Sequence, residues 1–475
     1  MQQNVSSSQL VQTHRFPWKS AFSAYGLSYC LVLLFLKSYF WDDWYTYFAL
    51  SDNETKNYWD QYGYPAIHGF FQVDVLGSRP ELFRLIMLVG FFVAGWCLFH
   101  ILSTVKLLRP EQVRLVTILF LILPINSTRV SMGLFVYSYS FLFFFLAWYL
   151  LVTKRSLIVR SLSIPLFLLS FSTLSLITFF SIPCLHFLYT KLSVPNPRRL
   201  SAYLSTAFLA SLSPLYWIIS RQVNPPLGAE LAYLTPRPSG TARGVLLLLC
   251  CSILILWFMK SNKKCSPEDN RYAIIVAGVT ITAVGAFPYL TSGRMTDVSE
   301  WMLNFVPRAS EWDSRHQLLL GLGFALIIVG FIGQVDSTFK RRCTAFLVGL
   351  FVAWNITFMH AYYLDSLKQD QLVVALQKSD GLKSSKIIMF NDQTTSRFNA
   401  RGRFYYEIEW DGILAKAFGN ESKSGVDMRY VDCNDPLTPI PDTILAITAR
   451  NGRLKATLSR DVGIDLSVVS IQPCK

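Results

Sequence analysis

The chain has 475 residues, of which 52% are hydrophobic and only 16% are charged, with 36 Phe, 22 Tyr and 12 Trp. This composition excludes an ordinary soluble globular protein for most of the chain. The net charge of +14 does not indicate nucleic-acid binding, because the basic residues fall mainly in short loops between apolar segments.

Residues 1–20 are polar and lead directly into the first apolar run. That run is longer than the core of a signal peptide and lacks a clear small-residue cleavage site, so we predict an uncleaved first helix. Residues 1–20 then form a cytoplasmic N-terminal tail.

Apolar runs near the roughly 20 residues that span a bilayer recur from about Ala21 to about Tyr362. We therefore predict a mainly α, polytopic membrane protein with about 11 transmembrane helices over residues 21–363. The two segments between 162 and 190 are short, and the break at 172–175 separates two helices or kinks one. The predicted helices are 21–40, 83–103, 113–125, 134–152, 162–174, 176–190, 202–220, 244–260, 273–291, 317–334 and 345–363.

The distribution of Lys and Arg predicts the orientation of these helices. Five alternating loops carry basic clusters, and such loops face the cytoplasm by the positive-inside rule. The intervening loops are then extracytoplasmic, and the first of them, 41–82, is long and acidic. The basic clusters include Lys106, Arg109 and Arg114; Lys154, Arg155 and Arg160; Lys191, Arg198 and Arg199; Lys260, Lys263, Lys264 and Arg271; and Lys340, Arg341 and Arg342.

Residues 364–475 do not resemble a membrane segment and predict a small C-terminal α/β domain on the extracytoplasmic side. Strands are predicted at 386–390, 443–448 and 466–471, and helices at 364–379 and 411–418. The stretch 404–410 mixes β-forming aromatic residues with carboxylates. Cys433 and Cys474 are the only two cysteines of this domain, and a disulfide between them is left open.

The sequence reads Trp41-Asp42-Asp43-Trp44 just after the first predicted helix. Aspartates at a helix C-terminus oppose the macrodipole, so local stability does not explain the pair. Ionisable residues at the membrane usually mark a function, although a helix end beside an interfacial aromatic belt is the alternative. We predict that one carboxylate is a general base for an acceptor hydroxyl, with Asp43 favoured over Asp42.

An acidic pair after the first transmembrane helix, a long acidic outer loop and an outward C-terminal domain together resemble the GT-C-type membrane glycosyltransferases. The resemblance implies a polyprenyl-phosphate-linked sugar as donor, and a glycan, a lipid or a protein as acceptor. It also implies that Asp42 or Asp43 is the catalytic carboxylate. No metal-ligating residue is predicted, and the use of a divalent cation, Mg²⁺ or Mn²⁺, as a cofactor stays an open alternative.

A second polar constellation lies at 301–316, immediately before a predicted helix. It brings Arg308, Arg315 and His316 to the same side of the membrane as the aspartates. Guanidinium groups bind phosphate oxygens with several donors at once, so we predict that these three residues bind the donor phosphate. Anchoring of the helix to lipid headgroups is the alternative.

Further substrate contacts are predicted from aromatic and polar residues near these two segments. They are Trp44, Tyr58 and His68 of the first outer loop, and Asp313. For Tyr58, an amphipathic helix lying on the membrane is an equal alternative, and Trp44 also fits an interfacial aromatic belt. His68 is a possible second base, for which a structural role is the favoured alternative. Other residues are weaker candidates or have structural interpretations: Arg129 and Arg294 as weaker site candidates, Arg397, Arg401 and Arg403 as a surface loop rather than an acceptor patch, and His100 and His186 as packing residues.

Two other functions are weighed against glycosyl transfer. A polysaccharide polymerase or ligase has similar Arg-rich outer loops but relies less on an early acidic pair. A lipid or solute transporter predicts ionisable residues near the midplane of several spans, with broken helices in paired halves. The predicted midplanes here are nearly free of charge. The loop style favours a bacterial inner membrane.

Overall fold

A computed structural model describes the backbone in a series of stretches that hold most of the predicted helices and all of the predicted strands. The described residues are 15–44, 51–61, 67–77, 79–105, 107–125, 128–154, 156–192, 271–292, 318–333, 337–379, 382–400, 403–419, 424–427, 443–449 and 464–469, with short pieces at 214–215, 219, 238, 241–243 and 245–247.

The described chain is mostly helical, with one small sheet. The first helix is shorter than predicted, because its last apolar residues form a 3₁₀ turn at Cys30–Leu34. The α-helices are α1 Trp18–Tyr29, α2 Asp52–Gln61, α3 Ile67–Phe70, α4 Pro80–Leu102, α5 Pro110–Ile122, α6 Phe135–Thr153, α7 Leu157–Ser161, α8 Ser163–Ser170, α9 Ser175–Phe179, α10 Ser181–Leu192, α11 Arg271–Thr291, α12 Gly321–Ile332, α13 Ser337–Gln377, α14 Thr395–Phe398 and α15 Glu407–Phe418.

Four helical segments within the described residues are long and apolar enough to cross a membrane. Shorter apolar helices occur at Leu157–Ser170, Ser175–Phe187 and Leu318–Ile332. The predicted count of about 11 spans is therefore not confirmed, and the predicted helices at 202–220 and 244–260 lie almost entirely outside the described residues. The four segments are Pro80–Leu102, Met132–Thr153, Arg271–Thr291 and Phe339–Gln377.

Aromatic stacking holds α4, α5 and α6 together. The rings of Phe91 and Phe120 lie 5.3 Å apart with an interplanar angle of 7°. Phe141 stacks on Phe91 at 5.6 Å and 6°. Three nearly parallel rings, one from each helix, therefore form the centre of this packing.

Helix α13 is continuous from a candidate span into the C-terminal domain. The sequence predicted two helices, 345–363 and 364–379, but one helix covers Ser337–Gln377. Leu372 and Leu376 near its end belong to the hydrophobic core of the C-terminal domain. The boundary predicted near residue 364 thus lies inside a helix that both parts share.

The C-terminal sheet has four strands in the order β2-β1-β3-β4. Central strand β1 (Ile387–Asp392) pairs in parallel with β2 (Ser424–Asp427) and β3 (Thr443–Ala449). Edge strand β4 (Ile464–Val469) pairs antiparallel with β3. All three predicted strands are present, whereas the short β2 was not predicted. Helix α15 begins at Glu407, so most of the ambiguous stretch 404–410 is helical.

Candidate functional site

The acidic pair lies in a tight turn after the first helix, and its backbone is unusual. Trp41 has φ of +51°, and it is the one non-glycine residue with positive φ among the described residues. The left-handed region costs an L-residue about 1–2 kcal/mol. The Trp41 N–H donates to Glu409 Oε1 at 3.0 Å, and the Trp44 N–H donates to the Trp41 carbonyl at 3.3 Å.

The Asp43 carboxylate is fully buried inside this turn. Its Oδ1 accepts hydrogen bonds from Ser131 Oγ at 2.7 Å and from the Gly133 N–H at 2.8 Å. Its Oδ2 accepts from the Phe40 N–H at 3.1 Å and from Arg84 Nη2 at 3.4 Å. Burial raises the pKa of Asp43, against the opposing effects of Arg84, Ser131 and Gly133.

These contacts give Asp43 an anchoring role. Both oxygens already accept hydrogen bonds, and the side chain has no exposed surface from which to remove a substrate proton. Asp42, in contrast, is half-buried. Asp43 was favoured from sequence as the general base, but the geometry favours Asp42, because a base must reach the proton that it removes.

Arg84 is a site residue that was not identified from the sequence. It lies in the second turn of α4 and is only 1% exposed. Its guanidinium donates to the Val130 carbonyl at 2.8 Å, and to the carbonyls of Phe35 and Leu36. The available signal was an arginine near the start of a largely apolar helix, since a buried charge needs partners.

The two tryptophans of the motif belong to different hydrophobic cores. Trp41 packs in the core of the helical part, and Trp44 packs in the core of the C-terminal domain. Trp44 was predicted to contact substrate, but it is only 1% exposed. That prediction is corrected, because the Trp44 ring packs directly on α15. A Cβ placed on Gly412 of that helix would clash with the Trp44 side chain.

A buried ionic network lies on the C-terminal side of the turn. Arg403 Nη1 donates to both Glu409 oxygens at 2.7 Å, and its Nε donates to Asp365 Oδ2 at 2.9 Å. The Arg403 guanidinium also lies 4.8 Å from the centre of the Trp41 ring. Arg403 is 5% exposed, so its predicted place in a surface loop is wrong. Two carboxylates compensate for its burial.

Several other predicted residues have described positions. Arg129 is buried against the Phe91 ring at 3.9 Å and donates to the Tyr29 hydroxyl at 2.6 Å. His186 accepts from Trp148 Nε1 at 3.1 Å, which suits its predicted packing role. Tyr58 lies in α2 and His68 in α3, and only their backbone is described.

The predicted donor-phosphate site lies outside the described residues. This applies to Arg308, Asp313, Arg315 and His316, as well as to Cys433, Cys474, Arg294 and Arg401. Their roles stay predictions. No group of three or more His, Cys, Asp or Glu suited to a divalent cation occurs within the described residues.

Comparison with protein-family models, with curated proteins and with solved structures finds no match for this chain. Its function is therefore inferred from the geometry around Asp42 and Asp43. That geometry is a strained turn in which one carboxylate is enclosed and its neighbour reaches solvent.

Proposed function

We propose that this chain is an integral membrane glycosyltransferase of the GT-C type, with about 11 spans, in a bacterial inner membrane. It transfers a sugar from a polyprenyl-phosphate-linked donor to a glycan, lipid or protein acceptor on the extracytoplasmic side. The supporting observation is the left-handed Trp41, which precedes a half-buried Asp42 and a fully buried Asp43. Backbone strain of this kind concentrates at functional sites, where the surrounding structure maintains it.

In the proposed reaction, the Asp42 carboxylate accepts the proton of the acceptor hydroxyl. The acceptor oxygen then forms a bond to the anomeric carbon of the sugar. The bond between that carbon and the phosphate oxygen breaks, and its electron pair leaves with the lipid phosphate. Fixed cations stabilise the charge that grows on the leaving phosphate, and Arg308, Arg315 and His316 are the predicted source of those cations.

Asp43 and Arg84 act on this reaction through position alone. Ser131, Gly133 and Arg84 hold the Asp43 side chain from three directions. The neighbouring Asp42 backbone is fixed as a consequence. A catalytic group held in one geometry avoids the entropy loss of finding that geometry during reaction.

The test is sugar transfer in membranes that contain Asp42→Asn, with a panel of polyprenyl-phosphate-linked sugars as donors. We expect loss of turnover by about 10²-fold or more at an unchanged protein level, as for removal of a general base. Asp52→Asn is the matched control, because Asp52 is an exposed carboxylate of the same outer loop. It should keep parent activity.

Comparing the cell-envelope glycans of a deletion strain, its parent and the Asp42→Asn strain identifies the sugar. The deletion and the Asp42→Asn strain should lack the same sugar substituent. Full transfer activity of Asp42→Asn, or a parental glycan composition in the deletion strain, would refute the proposal.

A further inference from the structure

We propose that helix α15 of the C-terminal domain is a positioning element of the candidate site, with Glu409 as its positioning residue. Through Glu409 and Gly412, this helix sets the conformation of the Trp41–Trp44 turn and thereby the position of Asp42. The consequence for catalysis rests on the proposed function, in which Asp42 is the base.

The first contact joins Glu409 to the strained residue. Glu409 Oε1 accepts the Trp41 N–H at 3.0 Å, although 368 residues separate them in sequence. The carboxylate is itself immobilised, since Arg403 donates to both of its oxygens at 2.7 Å. Glu409 has no exposed surface, so water does not compete for this hydrogen bond.

This contact has a specific consequence for the turn. A buried backbone N–H without an acceptor is unfavourable, and the left-handed conformation of Trp41 is unfavourable for a residue with a side chain. Glu409 supplies the acceptor only when Trp41 points its N–H toward α15. Loss of Glu409 therefore removes the acceptor of the Trp41 N–H, and with it a contact that favours the left-handed conformation.

The second contact lies one helical turn further along α15. A Cβ placed on Gly412 would lie 2.7 Å from Trp44 Cδ2 and 2.8 Å from Trp44 Cβ. Only glycine lets the indole approach the helix this closely. Helix α15 thus fixes Trp41 at one end of the acidic pair and Trp44 at the other, and Asp42 and Asp43 lie between these two fixed points.

Hydrogen exchange on the purified full-length protein tests the coupling itself. Both Glu409 oxygens accept hydrogen bonds, from Trp41, Arg403 and the Tyr406 N–H. Glu409→Gln replaces one of these oxygens by an NH2 group, which is itself a donor and cannot accept. One oxygen then has to serve both Arg403 and the Trp41 N–H. We expect exchange in a peptide covering 37–44 to become about 10-fold faster or more, in line with local opening of a turn that has lost a contact. Glu407→Gln is the matched control, because Glu407 is an exposed carboxylate in the first turn of the same helix.

Gly412→Ala is a second, independent variant, because it keeps every charge of the network. Its methyl group displaces Trp44, so exchange in the same peptide should rise as it does in Glu409→Gln. Unchanged exchange in both variants would overturn the proposal. So would equal increases in Glu409→Gln and Glu407→Gln, since the loss of any negative charge from α15 would then explain them.

Transfer kinetics provide the second readout, with the lipid-linked sugar donor identified by the panel above. Glu409→Gln should lower kcat by about 10-fold to 10²-fold, as for a small displacement of a catalytic group, and leave the donor KM unchanged. Glu409→Asp should recover part of kcat, and Glu407→Gln should remain near the parent value. A rise in KM with unchanged kcat would contradict a positioning role.

The two proposals fail in distinguishable ways. If Asp42→Asn is fully active while Glu409→Gln still accelerates exchange, the coupling stands and the assigned reaction is wrong. If Asp42→Asn is inactive while Glu409→Gln and Gly412→Ala leave exchange in the turn unchanged, the reaction stands and the positioning role is wrong.

Discussion

The Arg84 guanidinium and the Asp43 carboxylate form an ion pair at 3.4 Å, with side chains that are 1% and 0% exposed. The pair connects the start of helix α4 to the turn that carries Asp42. Because both ions lose their hydration, such a pair contributes little net stability, but loss of one partner is strongly unfavourable. Its main effect here is to specify one geometry for the turn.

Arg84→Met should destabilise the protein by about 3–5 kcal/mol, because it leaves the Asp43 carboxylate buried without its cation. The Val130 carbonyl also loses its donor. The double variant Arg84→Met/Asp43→Asn should lose less stability than the sum of the two single variants, with a coupling of about 0.5–3 kcal/mol. Unfolding of all four proteins in one detergent measures this cycle, and strictly additive losses would contradict the pairing.

The raised pKa of Asp43 predicts a pH dependence of stability. Burial raises this pKa in the folded protein, so the stability that Asp43 contributes is fully present below its unfolded value of about 3.9. It is lost as the pH rises through the folded value. The pKa of Glu409 is also raised, primarily by burial, and acts in the same direction.

The stability difference between the parent and Asp43→Asn should therefore be largest in acid and decrease as the pH increases from about 4. Thermal unfolding of both proteins across the pH range measures this difference. Glu409 is present in both proteins, so its contribution cancels in the comparison. A difference that grows with pH would show that the ionised form of Asp43 is the favoured one.

The contact between helices α11 and α12 predicts a strong effect at Gly323. A Cβ there would lie 2.7 Å from the Gly278 carbonyl oxygen and 2.7 Å from the Thr282 backbone nitrogen. These are backbone atoms that cannot rotate away. Gly323→Ala should therefore lower the free energy of unfolding by about 1–3 kcal/mol through overpacking. Small residues at such crossings let apolar helices approach closely.

Gly349→Ala in helix α13 is the control for that variant. A Cβ placed at Gly349 would have no described atom within 4 Å. The substitution should therefore raise the free energy of unfolding by about 0.5–1 kcal/mol, because alanine has the higher helix propensity. Thermal unfolding of both variants in one detergent distinguishes the two sites. Equal effects of the two alanines would contradict the close helix contact.

Two lysine–aspartate pairs of the C-terminal domain should differ sharply in strength. Lys368 and Asp392 are both 0% exposed, whereas Lys416 and Asp370 are 34% and 63% exposed. Lys368→Met should cost about 3–5 kcal/mol, because it leaves Asp392 buried without its cation. Lys416→Met should cost about 0–1 kcal/mol, as for an exposed pair. Similar losses in chemical unfolding would contradict this ranking.

Much of the secondary structure was predictable from local pattern. The apolar runs behind helices α4, α6 and α11 and the strands at 386–390 and 443–448 lie close to the observed elements. Their residues are adjacent in sequence, so length, polarity and periodicity contain the necessary information. The short β2, with only four residues, has too little sequence for such a pattern.

The ionic network was not predictable in the same way. Arg403 lies in a polar stretch that is typical of a surface loop, yet it is buried because Asp365 on helix α13 and Glu409 on helix α15 converge on it. The sequence likewise did not indicate which carboxylate pairs with Arg84, since that partner is 41 residues away. Partners supplied by distant segments leave no local signature.

The apolar helices and the acidic pair that follows the first of them were evident from the chain alone, because both are properties of contiguous residues. Which aspartate is enclosed and which reaches solvent depends instead on packing between distant segments. Residues from α4, from 131–133 and from α15 converge on one turn, and their hydrogen bonds surround Asp43 and Trp41 while leaving Asp42 half-buried.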